Sequence, residues 1–173
     1  MDFEDFGDRV KRLGVLYVDV YPYHLDNDGR PSFLILKRRS DVVLADSWQL
    51  ISGKLMKGET IRRAFIRQVV QKTGQRPVKM FKIERVNIFY DDYYDTVMVV
   101  PAACCQLADK RVRLDETLHT EFAWTTAEEA AKFLKWSTQI ECVRGIEACL
   151  LGGSFTRFQE LSVDAETTGT DPK

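Results

Sequence analysis

The stretch Gly53-Lys-Leu-Met-Lys-Gly-Glu59-Thr-Ile-Arg-Arg-Ala-Phe-Ile-Arg67-Gln-Val-Val-Gln-Lys-Thr-Gly74 decides the fold of this chain of 173 residues. Between Glu59 and Thr73 there is no glycine or proline, and apolar residues cover more than half of the circumference of a helix. The pattern therefore predicts a loop, then a helix over residues 59–73 that is buried on two sides. Gly74 supplies the left-handed stop with which helices commonly end.

Strand patterns lie on both sides of this segment. Apolar runs rich in β-branched and aromatic residues predict strands, and two later stretches of helix formers predict helices. The predicted strands are 13–23, 33–37, 48–51, 82–90, 95–105 and 121–125, and the predicted helices are 126–134 and 138–151. We expect one domain over residues 13–152, a lead-in over residues 1–12, and a polar, disordered tail over residues 153–173.

The composition indicates a globular protein and excludes several classes. Apolar residues make up 45% of the chain, charged residues 29%, and the net charge is −1, so nothing points to duplex nucleic acid as a partner. No apolar run is long enough for a membrane span, and the acidic N-terminus resembles neither a signal nor a transit peptide. The 4 cysteines form no metal-binding pattern, so we expect buried thiols and a reducing cytoplasm.

The spacing of the central segment resembles the Nudix box, G-x5-E-x7-R-E-U-x-E-E-x-G-U. The resemblance covers residues 13–151 and includes the Lys37-Arg38-Arg39 end of a strand and a tryptophan before the box. It implies an α/β fold: a Nudix-type α/β/α sandwich with a mixed β-sheet between the box helix and the C-terminal helices. The stretches Trp48-Gln49 and Trp136-Ser137 are also similar to dihydroneopterin triphosphate (dATP-type) pyrophosphohydrolases.

The chain departs from the family at the acidic half of the box. The family binds divalent ions through glutamates at positions that hold Gln68, Gln71 and Lys72 here. Residues three and four apart share one helical face, so this face should present two amides and a cation. Mg²⁺ prefers anionic oxygens, and an ammonium 4 Å away repels each unit of its charge by about 4 kcal/mol. The sequence therefore predicts no metal ion at the box helix.

The scaffold half of the box is retained. Glycine permits backbone conformations that a side chain forbids, and an arginine can hold a carboxylate with two hydrogen bonds. We therefore expect four residues to shape the loop, helix and second loop. They are Gly53, Glu59, Arg67 and Gly74.

Other residues complete the candidate site. The resemblance implies that Glu116, in the loop before the strand of Trp124, acts as a metal ligand or general base. Asp115 and the Asp91–Asp95 stretch are further carboxylates, although aspartates also favour turns. His119 has a suitable pKa for proton transfer but no evident partner. Basic and aromatic side chains that could bind a ligand are Arg38, Arg39 and Trp48.

Three functions remain open from the sequence. The first is a Nudix-superfamily protein that binds a nucleotide or nucleoside-diphosphate-type ligand, with Lys72, Gln68 and Gln71 at the ligand and metal-dependent pyrophosphohydrolysis impaired. The second is an active nucleoside triphosphate pyrophosphohydrolase that holds Mg²⁺ or Mn²⁺ through Glu116, Asp115 or the Asp91–Asp95 stretch. The third is an interaction module without a small ligand, acting as a homodimer or within a complex.

Overall fold

The computed structural model describes residues 13–164, and residues 1–12 and 165–173 lie outside that description. The strands in it are β1 (Leu13–Gly14), β2 (Tyr17–Leu25), β3 (Pro31–Arg38), β4 (Trp48–Gln49), β5 (Ile51–Lys54), β6 (Lys79–Lys82), β7 (Asn87–Asp91), β8 (Thr96–Val100), β9 (Ala102–Gln106) and β10 (His119–Thr125). The helices are α1 (Ile61–Thr73), α2 (Ala127–Phe133) and α3 (Ser137–Leu151). None of these helices is long and apolar enough to cross a membrane.

The main sheet is mixed and lies between the helices. Its order is β10-β3-β2-β9-β6, with β4 beside β3 and β5 beside β2. Strands β2 and β9 run parallel, and the other pairs of this sheet are antiparallel. Since successive residues of a strand point to opposite faces, each strand contributes to two separate cores.

The two cores assign the helices to opposite faces. Val20 and Leu34 pack with Phe65 and Val69 of α1, whereas the neighbouring Tyr21 packs with α2 and α3. The predicted α/β/α sandwich with a mixed sheet is therefore confirmed, with the box helix on one face and the C-terminal helices on the other.

A second, smaller sheet has the order β1-β8-β7. Three stretches that were each predicted as one continuous strand are divided between the two sheets. These stretches are residues 13–23, 82–90 and 95–105. Pro101 marks the last of these divisions. It has no N–H to donate to a ladder, and its carbonyl accepts a 3.0 Å hydrogen bond from the N–H of Asp19. The chain leaves the small sheet at Pro101 and enters the main one.

The box helix begins two residues later than predicted. Thr60 caps it, accepting a 3.3 Å hydrogen bond from the N–H of Arg63 on its side-chain oxygen. Glu59 instead belongs to the preceding turn, where its N–H donates to the carbonyl of Met56. The helix ends as expected at Gly74, whose φ of 72° lies in the left-handed region.

The chain continues to pack beyond the expected domain limit at residue 152. The rings of Phe155 and Phe81 stack with centroids 4.5 Å apart, and the N–H of Leu161 donates to Met80 at 2.9 Å. Residues 153–164 therefore cover an edge of the main sheet, where a disordered tail was expected. Apolar side chains within this otherwise polar stretch account for the difference.

Candidate functional site

The loop before α1 is held to the helix by Glu59 and Arg67. Arg67 donates from Nε to Glu59 Oε1 and from Nη2 to Oε2, each at 2.7 Å, and Nη2 also donates to the carbonyl of Lys54 at 2.8 Å. The Glu59 side chain is only 11% exposed. The hydrogen bonds from Arg67 hold the pKa of Glu59 below its usual range, so the carboxylate stays charged.

The two box glycines are required for different reasons. Gly74 has a positive φ, and an added Cβ would lie 3.0 Å from the Cβ of Arg113. Gly53 has no positive φ, so the expectation that its backbone needs glycine is wrong. Its constraint is space, because an added Cβ would lie 2.0 Å from the side chain of Gln68. Gly53 thus allows Gln68 to lie directly against the strand.

Gln68 and Lys72 form the buried part of the box helix. They are 4% and 5% exposed, and Lys72 Nζ donates a hydrogen bond to Gln68 Oε1. Gln68 Nε2 in turn donates to the carbonyl of Lys54 at 3.2 Å. Gln71 is exposed and accepts from Arg67 Nη1 at 3.0 Å, so the expected single face of three residues is wrong. Residues 71 and 72 differ by about 100° around the helix, which separates them.

The charge of Lys72 is only partly balanced. Burial lowers the pKa of Lys72 to about 8, and the nearby carboxylate of Asp115 opposes this shift. Arg67 and Arg38 lower it further, since both bring like charge towards the ammonium. Hydrogen bonds with Thr117 keep the pKa of Asp115 below its usual value. Lys72 is therefore a buried cation next to one ionised carboxylate.

His119 lies beside this cation and is the main group that sequence reasoning did not place. It is 1% exposed, and its Nε2 lies 3.3 Å from Nε2 of Gln49, itself 5% exposed. Burial, followed by the charges of Lys72 and Arg38, lowers the pKa of His119 to about 4. The first residue of β10 pairs with Arg38 at the end of β3, and this register turns His119 towards α1. Only the strand pairing reveals the contact.

The predicted basic and aromatic ligand residues are not all brought together. Arg38 lies near Lys72 and donates from Nε to the carbonyl of Val43 at 3.0 Å. Arg39 pairs instead with Asp41 through hydrogen bonds of 2.7 and 2.8 Å. Trp48 packs on Phe133 with ring centroids 5.6 Å apart, on the side of α2. Trp48 therefore lies across the sheet from Lys72.

Glu116 lies at the mouth of a groove. The groove has a volume of about 570 Å³ and is lined by residues 112–114, Glu116 and residues 120–122. Glu116 is exposed, and its backbone carbonyl accepts a 3.1 Å hydrogen bond from Arg39 Nη1. Its neighbour Asp115 lies closer to Lys72. The groove therefore borders the Asp115–Glu116 turn, and neither Lys72 nor His119 lines it.

A buried carboxylate, Asp19, lies on the opposite face of the sheet from Lys72. It is 4% exposed, and burial raises its pKa to about 6, although hydrogen bonds from Ser52 and Gln139 oppose this shift. Gln139 Oε1 is buried without a hydrogen-bond partner. The alternating strand pattern of residues 13–23 gave no sign that this position is buried.

Comparison with known protein families decides the classification. The family model described as the NUDIX domain matches residues 17–144, which includes every element from β2 to most of α3. The chain belongs to the Nudix family. A comparison with curated proteins finds no match.

Several solved structures have the same fold as this chain. The Ap4A hydrolase of C. elegans in a binary complex superposes with a TM-score of 0.66 at 19% identity, over 80% of this chain and 99% of that one. The NUDIX domain of Shewanella oneidensis NrtR, complexed with ADP ribose, gives 0.65 at 13% identity, over 87% and 99%. The E. coli dihydroneopterin triphosphate pyrophosphohydrolase gives 0.60 at 20% identity, over 76% and 97%. At these identities the likeness shows the fold alone.

Nudix hydrolases generally use Mg²⁺ or Mn²⁺, so the donors of this Nudix domain can be tested against such an ion. Within residues 13–164, no three His, Cys, Asp or Glu side chains gather as a metal site. The inward box residues offer the amide of Gln68 and the ammonium of Lys72, which do not fit a hard dication. Asp91 accepts from the N–H of Tyr94, and Asp95 accepts from Tyr90, so these carboxylates serve the β7–β8 turn.

Proposed function

We propose that this Nudix domain binds a nucleotide or another diphosphate-linked ligand at the buried face of α1, and that metal-dependent pyrophosphohydrolysis is impaired. The observation that carries the proposal is the hydrogen bond from Lys72 Nζ to Gln68 Oε1. It puts a cation and a neutral amide at box positions where the family has carboxylates. A cation there attracts phosphate oxygens and repels Mg²⁺.

Local charge supports an anionic ligand. Glu59 neutralises Arg67, which leaves Lys72 and Arg38 facing the single carboxylate of Asp115. The balance in the cluster is therefore one positive charge at neutral pH. The NrtR domain of the same fold was solved with ADP ribose, a ligand of the proposed class. The free cysteines of the described residues, three of them buried, are consistent with a reducing cytoplasm.

Ligand binding and hydrolysis can be measured on the same protein. We expect ADP-ribose, dATP or diadenosine tetraphosphate to raise the Tm, since a ligand at 100 times its Kd stabilises a protein by about 2.7 kcal/mol. Hydrolysis in millimolar Mg²⁺ or Mn²⁺, measured by chromatography as loss of the intact nucleotide, should stay near background. A nucleotide panel that leaves the Tm unchanged contradicts the proposal.

The alternative to impaired hydrolysis is an active hydrolase that uses Glu116. Glu116 faces solvent at the groove and has no side-chain partner described, so it is available to a metal–substrate complex. Robust metal-dependent turnover that Glu116→Gln abolishes would assign catalysis to this residue. The control Glu128→Gln removes an exposed carboxylate from α2 and should leave turnover unchanged.

The small sheet supports a second candidate function, self-association. Strand β7 is an outer strand of this sheet, and its hairpin with β8 exposes large apolar side chains. Ile88 is 62% exposed and Tyr93 is 85% exposed. Unpaired outer strands with apolar surface can pair with a second copy. Light scattering should then show a dimer that Ile88→Glu converts to a monomer, and a monomeric wild type at all concentrations would exclude this candidate.

A further inference from the structure

The outer edge of β10 faces an open groove. Strand β10 is an outermost strand of the main sheet, and within residues 13–164 β3 is the only strand that pairs with it. The N–H and C=O groups of a strand alternate between its two sides, so those on the outer side of β10 have no ladder partner. The groove of about 570 Å³ beside this edge is lined by Thr120, Glu121 and Phe122 of β10 and by residues 112–114 and Glu116 of the preceding loop.

The preceding loop runs alongside β10 without pairing with it. Trp124 Nε1 donates a 2.9 Å hydrogen bond to the carbonyl of Lys110, which places the start of the loop beside the end of β10. The loop then turns at Asp115–Glu116 and enters β10, so the two run in opposite directions. Among the described residues, no backbone hydrogen bond joins residues 110–114 to β10, and the N–H of Arg113 donates towards α1 instead. The loop is therefore one wall of a slot, and the free edge of β10 is the other.

The slot has an apolar side that suits an extended chain. Phe122 is 40% exposed, and Val112 and Leu114 of the loop are only partly buried against the core at α1. A strand in the slot would place every second side chain against these three residues. Because the loop lies opposite the strand edge, a single extended chain fits between them, whereas the sheet of a second copy would meet the loop.

The charges of the loop differ between the two ends of the slot. Lys110 lies over the ring of Trp124 with Nζ 6.0 Å from the ring centroid, and the exposed Arg113 follows it along the wall. Asp115 and the exposed Glu116 lie at the other end, where β10 begins. The slot therefore has a basic end beside the last residues of β10 and an acidic end beside the first.

We infer that β10 and the loop over residues 110–116 form a docking site for an extended segment of another protein, which adds to the main sheet as an antiparallel strand beside β10. Such a strand runs from the basic end of the slot to the acidic end. Its matching sequence therefore has an acidic residue first, alternating β-branched residues next and a basic residue last. The inference goes beyond the proposed nucleotide ligand and does not depend on it, because no residue of α1 lines the groove.

Two peptides of identical composition test the docking site. The first is Asp-Thr-Val-Thr-Val-Thr-Lys with both ends blocked, and the second exchanges the first and last residues. Fluorescence anisotropy should show that the first binds roughly fivefold more tightly, as two exposed charge pairs provide. N-methylation of the residue whose N–H faces β10 should weaken binding of the first peptide, because it removes a ladder hydrogen bond.

Charge reversal in the protein should reverse this preference. The double variant Arg113→Glu with Glu116→Lys exchanges the two ends of the slot and should prefer the second peptide by a similar factor. The matched control Glu128→Lys with Lys132→Glu exchanges two exposed charges on α2 and should keep the preference of the wild type.

Amide hydrogen exchange shows whether the bound peptide forms a strand. We expect the first peptide to slow exchange of the outward N–H groups of β10 and to leave β7 unchanged. The docking site is overturned if neither peptide binds at millimolar concentration, if both bind equally, or if binding leaves β10 unprotected. Protection of β10 by a nucleotide, or by high protein concentration alone, would assign the edge to a small ligand or a second copy and also overturn it. Nucleotide binding is measured separately through the Tm, so these results leave the proposed function standing.

Discussion

Arg67 grips the carboxylate of Glu59 with two hydrogen bonds of 2.7 Å, and a third hydrogen bond of 2.8 Å ties the same guanidinium to the carbonyl of Lys54. The pair joins the box loop to the helix across eight residues of sequence. Its exposed fractions are 22% for Arg67 and 11% for Glu59, so it lies in a region where charge pairs are only partly screened.

Arg67→Ala should therefore lower the free energy of unfolding by about 2 kcal/mol, because it leaves Glu59 charged and poorly solvated. Urea denaturation at pH 7 measures the loss. Arg111→Ala breaks an exposed pair with Asp109 and should cost less than about 1 kcal/mol. Glu59 has a lowered pKa, so its contribution is present above its unfolded pKa and is lost as the pH falls through the folded one. Equal losses for the two variants would show that the brace contributes nothing specific.

Gly53 and Gln68 should be energetically coupled. A Cβ at position 53 would lie 2.0 Å from the Gln68 side chain, so Gly53→Ala displaces that side chain and costs about 1–3 kcal/mol. In the Gln68→Ala background the space is open, and the same change should cost much less. A double-mutant cycle by chemical denaturation gives the coupling energy. Additive effects would mean that the loop moves away and the side chain does not.

Asp19 should make the protein less stable as the pH rises. Its folded pKa of about 6 exceeds the unfolded value of 3.8, so its stabilising contribution is complete below 3.8 and is lost as the pH rises through 6. Asp19→Asn removes this ionisation and provides an N–H near the unpartnered Oε1 of Gln139. We expect the variant to exceed the wild type in stability by on the order of 2–3 kcal/mol at pH 8, and by little at pH 3.5. Thermal unfolding of both proteins across this pH range tests the prediction. A stability difference between variant and wild type that does not change with pH would exclude titration of Asp19.

Restoring the carboxylates of the box distinguishes two explanations of impaired hydrolysis: the loss of metal ligands alone, or a wider change in the pocket. The variant Gln68→Glu, Gln71→Glu and Lys72→Glu changes local charge from +1 to −3. Two of these carboxylates become buried, so the metal-free protein should lose stability and Mg²⁺ or Mn²⁺ should restore it. We expect the variant to bind metal and to hydrolyse at least one nucleoside triphosphate to the monophosphate and pyrophosphate, measured as phosphate after addition of inorganic pyrophosphatase. Metal binding without turnover would show that the pocket has diverged as well.

The spacing within one segment was sufficient to predict α1, its stop at Gly74 and the contact of Glu59 with Arg67. The alternating run in β2 and the continuous apolar run in β3 likewise predicted strands, and the resemblance to the Nudix family implied the sheet between two layers of helices. These features depend on residues close in sequence or on a period of two or 3.6. They required no knowledge of which strands pair.

The rest of the site depends on pairing that a single sequence does not encode locally. His119 and Gln49 are separated by 70 positions and meet only because β4 and β10 both flank β3. The division at Pro101 depends on which sheet each side joins. Gln71 and Lys72 follow Gln68 by three and four residues, so they lie on either side of it around the helix. The prediction that all three share one face is therefore wrong for Gln71. Packing of the core side chains fixes the rotation of the helix about its axis, and with this rotation Lys72 points inward and Gln71 points to solvent.

The division of one long apolar run at Pro101 should also show in the rates at which the two sides of the proline open. The small sheet is bounded by short strands and carries exposed side chains, whereas β9 on the other side of Pro101 is buried between β2 and β6. Amide protons of β7 and β8 should exchange through local opening, at a lower free energy than those of β9, which wait for global unfolding. We therefore expect the hairpin on one side of Pro101 to open and close while the proposed ligand-binding face of α1 stays folded.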